Sequence, residues 1–456
     1  MTDFRASAHA TPIEGVEQLV EQFHAAGKPR DEWKIGTEYE KLAVDAVTGK
    51  AAPFDGPRGI ERVLQTLAER FGWEPREENG RTIALARGGC SITLEPGGQI
   101  ELAGQPVASV HEARAEVEGH VRELVAIGPE LGLTFLGLGC HPVSRLDEIP
   151  WVPKARYAVM RDYMTRVGAL GHRMMKQTAT VQANIDFESE RDAMQKLRIG
   201  MALAPIVNAI FATSPIVDGD VSGHLSFRGH VWTDTDRARC GLLPFAFRDD
   251  AGFADYVAWA LDVPMYFILR DGRYVTDVTG VPFRRYLAEG WHGERATEDD
   301  WALHLTTLFP EVRLKSFIEF RSADSQTPAR VLALPALAKG LFYTADCQQA
   351  GLDLVRRWSV DEVRELYAEV TRGGFAPKVK GIRVGELARE ILAIAVEGLR
   401  RQAVLDAEGR DETRYLEPAI EQVERGRTVA EELLGRWTAT RDRRVEPLIE
   451  ACALRA

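Results

Sequence analysis

The sequence predicts an α+β fold, in which a curved antiparallel sheet carries helices on its apolar side and borders a polar cavity with its other side. Several short segments alternate polar and apolar residues, which is typical of antiparallel strands with one buried face. Carboxylate, amide and guanidinium groups recur on the polar faces of separate segments, a pattern that a merely solvated surface does not require. After about residue 350 the chain is almost wholly helical. We therefore expect a core over residues 1–350 and a helical extension over 351–456 packed on it.

The first predicted strand lies in residues 33–44, where Glu38 and Glu40 point to the same side. Side chains two positions apart in a strand share a face and lie roughly 7 Å from each other. Apolar residues at helical spacing precede and follow this strand. The helices predicted around it cover residues 12–26, 59–71 and 109–131.

The second predicted element is a hairpin over residues 91–102 that turns at Pro-Gly-Gly. Pairing its arms places Glu95, Gln99 and Glu101 on one face and apolar residues on the other. Together with the first strand, the polar side then holds four carboxylates, which repel one another unless protons or cations neutralise them. Oxygen clusters without cysteine or histidine suit hard ions such as Mg²⁺. The pattern therefore points to metal-bound phosphates of a nucleotide.

Two later segments, residues 178–187 and 313–321, repeat the alternation and are predicted strands. Their polar faces carry Gln182, Asn184, Lys315, Glu319 and Arg321. Helices are predicted over residues 193–212 and 253–260, and the first of these continues an apolar stretch that ends near residue 217. Pro205, Asn208 and Pro215 interrupt that stretch, so it is typical of a core helix and too short for a membrane span.

A shorter alternating run over residues 227–232 carries Arg228, His230 and Trp232. Arginine grips carboxylates and phosphates with two parallel hydrogen bonds, so Arg228 and Arg321 are better candidates for function than the histidine, which also suits a core position. Any single pair of glutamates is equally compatible with a solvated strand. The functional interpretation depends on their recurrence in several strands.

The helical tail begins at Ser359, which forms a capping box with Glu362. Its further predicted helices cover residues 384–404, 418–424 and 428–439.

Charge and cysteine content exclude some classes of protein. A net charge of −11 and a pI of about 5.6 argue against a nucleic-acid binder. The five cysteines are scattered, with no CxxC pair, which favours a reduced, cytoplasmic protein over a disulfide framework. Residues 1–10 lack the apolar core of a signal peptide, and no membrane partner is expected. No Walker A loop occurs, and the Gly-rich run at 136–140 lacks the third glycine of a dinucleotide fingerprint, because Pro142 occupies that place.

The same residues resemble the glutamate–cysteine ligases of the plant and proteobacterial type. The matching runs include Ile35-Gly-Thr-Glu-Tyr-Glu-Lys41 and Thr178-Ala-Thr-Val-Gln-Ala-Asn184, with others at 91–101, 230–236, 261–267 and 304–315. The resemblance implies a glutamine-synthetase-like fold with a funnel-like active site. It also implies ATP-dependent ligation of the γ-carboxylate of L-glutamate to the amino group of L-cysteine through γ-glutamyl phosphate. The products would be γ-glutamylcysteine, ADP and phosphate, in the first step of glutathione biosynthesis.

The resemblance also implies roles for individual residues. It implies more than one Mg²⁺ ion, bound by Glu38, Glu40, Glu95, Glu101 and Glu319. Arg321 and Arg228 would stabilise charge during catalysis and, with Trp232, contact ATP. The substrate-binding residues would be Gln182, Asn184, Met175, Thr178, Arg156 and Tyr157, with Met175 and Thr178 on the cysteine side.

Three alternatives stay open at this stage: a ligase for another amine, a non-catalytic metal- or amino-acid-binding protein of this fold, and a phosphotransferase of the guanidino-kinase kind. Plant relatives carry paired regulatory cysteines, whereas the matching positions here are Arg114, Leu332 and Val278. We therefore expect no redox switch, and a monomer or a non-covalent homodimer.

Overall fold

The computed structural model describes residues 11–440 and 445–455. The expectation about a signal peptide falls on residues 1–10, which lie outside the described residues. In the described part, the α-helices are α1 (Val16–Ala25), α2 (Ile60–Phe71), α3 (Val110–Leu131), α4 (Ala155–Met164), α5 (Gly171–Gln177), α6 (Glu190–Ile210), α7 (Phe227–Trp232), α8 (Phe253–Asp262), α9 (Phe283–Glu289), α10 (Glu298–Leu305), α11 (Ala333–Phe342), α12 (Ala345–Val355), α13 (Val360–Gly373), α14 (Val384–Gln402), α15 (Glu417–Glu424), α16 (Val429–Ala439) and α17 (Glu446–Cys452).

The strands are β1 (Ile35–Asp45), β2 (Glu74–Glu78), β3 (Arg81–Arg87), β4 (Cys90–Leu94), β5 (Ile100–Ala103), β6 (Leu133–Leu136), β7 (Thr180–Ile185), β8 (Ile216–Val217), β9 (Asp220–Val221), β10 (Cys240–Gly241), β11 (Ile268–Arg270), β12 (Arg273–Val275), β13 (Phe309–Pro310), β14 (Val312–Leu314), β15 (Ile318–Asp324), β16 (Lys378–Val379) and β17 (Ile382–Arg383). Short 3₁₀ helices lie at Arg30–Glu32, Pro244–Phe247 and Glu412–Tyr415.

A nine-stranded sheet forms the centre of the molecule, with the strand order β14-β15-β7-β1-β5-β4-β3-β2 and β6 paired with the end of β1. Every pairing in it is antiparallel. The long central strand β1 pairs with β5 on one side and with β7 on the other. The predicted α+β class with an antiparallel sheet is confirmed.

Several helices begin at a residue whose side chain caps the first turn. The Ser109 hydroxyl accepts a hydrogen bond from the Glu112 N–H at the start of α3, and Gly132 ends that helix in the left-handed conformation. Nearly every side chain of α6 is buried, which explains its apolar sequence. In the tail, Ser359 and Glu362 form the predicted capping box.

One large apolar cluster runs from Ile13 to Leu454 and includes side chains of the tail such as Val363 and Leu387. Helix α14 packs on α11, and α13 packs on α6, so the tail helices share the core's apolar interior. The division at residue 350 stays a prediction, because it is not marked by a gap in this cluster.

One local prediction is wrong, and one alternating run proves to be a helix. Residues 313–321 do not form one strand but a tight antiparallel hairpin, β14 and β15, in which Arg313 lies directly opposite Glu319. Residues 227–232 form helix α7, because Ser226 caps the Gly229 N–H and directs the chain into a helical turn. Three alternating residues are too short a signal to distinguish a strand from a single helical turn.

The apolar stretch before residue 217 lies in α6 and the loop after it. Within residues 11–440 and 445–455, no helix is long and apolar enough to cross a membrane.

Candidate active site

The polar side of the sheet borders a cavity of about 810 Å³. Side chains from β1, β4, β5, β7 and β14 line it, together with the segments 154–160 and 302–309. A volume of this size accommodates a nucleotide or a comparable small molecule.

Carboxylates from three neighbouring segments form one wall of the cavity, which we call the acidic wall: Glu38, Glu40, Glu95 and Glu101. The sheet register produces this arrangement, since Glu40 on β1 lies directly opposite Glu101 on β5. Like charges at opposed positions destabilise a sheet unless something neutralises them. The four carboxylates predicted to converge therefore do line one wall.

Two residues of the acidic wall, Glu38 and Glu40, bind protons more readily than isolated carboxyl groups do. Burial, followed by the charges of Glu319 and Glu101, raises the pKa of Glu38 to about 7. Burial, followed by Glu95 and Glu101, raises the pKa of Glu40 well above its ordinary range. Burial is the larger cause of both shifts and the neighbouring carboxylates add to it, so a bound cation would favour the charged forms of both groups.

The turn between β4 and β5 holds Glu95 at the cavity. The Gln99 side chain accepts from the Gly97 N–H and donates to the Thr178 carbonyl, so it braces the turn instead of facing the cavity. Gly98 adopts a φ of 86°, which favours glycine.

Cationic side chains that also line the cavity gather around one buried carboxylate, and we call them the cationic cluster: Arg313, Lys315 and Arg321. The fully buried Glu319 contacts Arg313 at 2.7 Å, Arg321 at 2.6 Å and Lys315 at 3.3 Å. Burial alone would raise the pKa of Glu319, but the three cations outweigh it and hold that pKa well below its usual value. All three cations line the cavity, whereas Glu319 lies behind them.

Sequence reasoning missed Arg313 as a site residue. Arg313 lies an even number of positions from Lys315, Glu319 and Arg321, so the alternation places all four side chains on one face. The sequence therefore did contain an indication that Arg313 belongs to the site. The hairpin turn that brings Arg313 beside Glu319 was not evident from that alternation.

Arg228 and Trp232 lie outside the cavity wall. Arg228 is 2% exposed and donates from Nη2 to the Arg321 carbonyl at 2.9 Å. The Trp232 ring packs against Phe309, a cavity residue, with 6.0 Å between ring centroids. The predicted ATP contacts of both residues stay predictions; in this structure they support the wall from behind.

Another part of the cavity wall carries Arg156 and Tyr157, which were predicted to lie near the substrate L-glutamate. Lys154 and Tyr157 both donate to the Leu94 carbonyl, next to Glu95. Arg156 lines the cavity near the rings of Tyr157 and Phe267, and its buried Nε has no hydrogen-bond partner in the structure. An arginine held there is suited to bind a ligand carboxylate.

The remaining predicted residues divide into two groups. Gln182 and Asn184 line the cavity, where Gln182 accepts from Arg321 and Asn184 donates to Glu38. Met175 and Thr178 do not line it, and the Thr178 hydroxyl donates to the Met174 carbonyl. Their assignment to a cysteine pocket stays a prediction.

The donor chemistry of the acidic wall fits Mg²⁺, which prefers carboxylate oxygens. Among the residues that the structure describes, no three His, Cys, Asp or Glu side chains converge closely enough to hold a metal ion as they stand. The carboxylates would have to turn towards an ion. Burial and, to a smaller extent, neighbouring carboxylates raise the pKa of Glu38 and of Glu40, and a cation bound beside them would oppose both effects.

Known proteins resemble this chain along nearly its whole length. The model of glutamate-cysteine ligase family 2 matches residues 34–453. The chloroplastic glutamate–cysteine ligase of Brassica juncea is 43% identical over 437 residues, covering 95% of this chain and 83% of that protein. The Arabidopsis thaliana enzyme is 42% identical, covering 95% and 82%.

Solved structures resemble its fold. A glutamate–cysteine ligase from Francisella tularensis in complex with AMP superposes with a TM-score of 0.55 at 12% identity, covering 92% of this chain and 87% of that one. A bifunctional glutathione synthetase from Pasteurella multocida gives 0.50 at 12% identity, covering 94% and 53%. At such identities the likeness concerns the fold alone, whereas the family match extends over most of the sequence. This chain belongs to glutamate-cysteine ligase family 2.

Proposed function

We propose that this chain is a glutamate–cysteine ligase, which uses ATP to join the γ-carboxylate of L-glutamate to the amino group of L-cysteine. One observation supports this most directly: a single cavity is lined both by the acidic wall and by the three cations Arg313, Lys315 and Arg321. Family membership supplies the reaction, and this charge arrangement suits it.

The reaction begins with two anions that repel each other, a carboxylate and the γ-phosphate of ATP. Arg313, Lys315 and Arg321 lie where they can bind phosphate oxygens and neutralise that charge during transfer. The γ-carboxylate oxygen attacks phosphorus and ADP leaves, which gives γ-glutamyl phosphate. The amine of cysteine then attacks the acyl carbon, phosphate leaves, and the amine loses a proton.

We propose Mg²⁺ as the ion of the acidic wall, where it would offset the negative charge of bound phosphate. The side chains that would hold it are Glu38, Glu40, Glu95 and Glu101, while Glu319 orients the cationic cluster and is a further candidate ligand. Arg156 is positioned to bind a carboxylate of glutamate, since its guanidinium faces the cavity and its Nε lacks a partner.

Product identification tests this proposal. Purified chain is incubated with ATP, Mg²⁺, glutamate and a panel of amines, and products are identified by mass spectrometry. We expect γ-glutamylcysteine, ADP and phosphate, and slow ATP cleavage with glutamate alone because the first step needs no amine. AMP and pyrophosphate would overturn the acyl-phosphate route, and preference for another amine would favour the alternative ligase.

Two variants control that experiment. Arg321→Met removes a cation of the cavity and should abolish product. Glu412→Gln changes a fully buried carboxylate of the helical tail that pairs with Lys339 of α11 and does not line the cavity, so it should retain activity. Equal activity of both variants would contradict the assignment of the cavity.

We also propose a cytoplasmic location and a monomer or non-covalent homodimer. All five cysteines are free, and each has a pKa raised chiefly by burial: Cys90, Cys140, Cys240, Cys347 and Cys452. The plant relatives are named chloroplastic. Cell fractionation and light scattering after size exclusion test these two points.

A further inference from the structure

A second buried carboxylate, outside the cavity, lies at the end of β15. Asp324 is 0% exposed and accepts three hydrogen bonds. Its Oδ2 accepts from the Thr213 N–H at 2.9 Å and from the Ser214 hydroxyl at 2.6 Å, and its Oδ1 accepts from the Ser226 hydroxyl at 2.8 Å. Among the residues that the structure describes, no cationic side chain forms a salt bridge with Asp324.

Both hydroxyls bound by Asp324 also hold the start of helix α7. Ser226 accepts from the Gly229 N–H at 2.9 Å, and Ser214 accepts from the Arg228 N–H at 3.1 Å. Asp324 therefore joins the start of α7 to β15, the strand that carries Arg321.

Helix α7 in turn holds Arg228 against the wall of the active site. Arg228 donates to the Arg321 carbonyl, and its charge opposes the large rise in the pKa of Glu40 that burial and neighbouring carboxylates cause. Its Nη1 is buried without a hydrogen-bond partner. One side chain thus touches the strand of the cationic cluster and acts electrostatically on the acidic wall.

The network requires a carboxylate, not merely a polar side chain. The Ser226 oxygen already accepts from Gly229 N–H and from the Asn208 amide, so it can only donate towards Asp324. On the other oxygen, the Thr213 N–H can also only donate. An asparagine amide would point its NH₂ group at one of these two donors in either orientation.

We propose that Asp324 is a positioning residue for the ligase reaction, which acts by fixing Arg228 behind the cavity wall, against the strand that carries Arg321. This inference rests on the proposed function. The carboxylate has no access to substrate, so it acts through α7 and not by direct contact.

The test compares Asp324→Asn, Ser226→Ala and Ser214→Ala with the wild type and with Glu412→Gln, a control that also alters a fully buried carboxylate. We expect kcat to fall by about 10²-fold in Asp324→Asn, because a displacement of about 1 Å at a reacting site has that effect. The KM values for glutamate and cysteine should stay within about twofold of the wild type. The two serine variants keep the test valid if Asp324→Asn does not fold.

Two further measurements separate positioning from general loss of stability. Amide hydrogen exchange over residues 227–232 should accelerate in Asp324→Asn and Ser226→Ala but not in Glu412→Gln. Ser226→Ala should also cost less in an Arg228→Lys background than in the wild type, because the serine acts through that arginine.

Unchanged exchange at 227–232, or an equal cost of Ser226→Ala in both backgrounds, would overturn the inference. A wild-type chain that makes no γ-glutamylcysteine would refute only the proposed function. The exchange comparison then still decides whether Asp324 fixes the helix that carries Arg228.

Discussion

Replacing Glu319 by glutamine should both destabilise the protein and stop turnover. Glu319 is fully buried and contacts Arg313, Lys315 and Arg321, so the variant leaves three cations without their common anion. Removing one partner of a buried ion pair costs about 3–5 kcal/mol. A chain of 456 residues has an unfolding entropy of about 1 kcal/mol per kelvin, so the Tm should fall by about 3–5 °C.

The activity should fall further than stability explains. Loss of a group that organises charge in the transition state reduces kcat by about 10²–10³-fold. ATP should raise the Tm of Glu319→Gln more than that of the wild type, because its phosphates replace the missing negative charge beside the three cations.

The assays are differential scanning fluorimetry with and without ATP and Mg²⁺, and ADP release at saturating substrates. Glu412→Gln serves as the matched control, because its carboxylate is also fully buried but pairs with the single cation Lys339. It should lower the Tm comparably and leave kcat unchanged. If Glu319→Gln keeps kcat within about twofold of the wild type, Glu319 neither organises the cations nor binds a catalytic metal.

Three more predictions concern the acidic wall, acid stability and redox behaviour. Glu40→Gln should lower kcat by about 10²–10³-fold with the fold intact, as circular dichroism would verify; near-normal kcat at saturating Mg²⁺ would exclude Glu40 as a metal ligand. Burial, with a smaller effect of Arg239, lowers the pKa of His304 to about 3, so the unfolded chain binds a proton that the folded chain does not. The contribution of His304 to the free energy of unfolding is complete above about pH 6.5 and is lost as the pH falls towards 3, at up to about 1.4 kcal/mol per pH unit. In a series of urea-unfolding measurements at different pH values, His304→Gln should therefore make the free energy of unfolding depend less on pH between about 3 and 6.5. An unchanged dependence would contradict the assignment. Mild oxidation or dithiothreitol should barely change activity or mobility on a non-reducing gel, since Arg114, Val278 and Leu332 occupy the positions matched to the regulatory cysteines that the resemblance to plant enzymes implies. A reversible several-fold activation on oxidation would refute this prediction.

The polar and apolar periodicity along the chain predicted β1, the β4–β5 hairpin and β7, but not β2, β3 or β6 of the same sheet. It also predicted about half of the helices. It also indicated that Glu38, Glu40, Glu95 and Glu101 share one side of the sheet, because alternation in a strand is a local property of the backbone. The hairpin turn and the capping box of α13 were predictable for the same reason, since each depends on residues close in sequence.

Contacts between residues that are brought together by folding were not predictable from the alternation pattern. Alternation cannot tell one strand from two strands folded back on each other, so the contact of Arg313 with Glu319 became evident only from the β14–β15 pairing. The alternation in residues 227–232 did not indicate helix α7. The capping residue of that helix, Ser226, is held by Asp324, which lies 98 positions away in the chain. Local sequence determined which residues alternate and where helices begin, whereas tertiary packing determined which charges meet, because electrostatic contact depends on distance in space and not on separation along the chain.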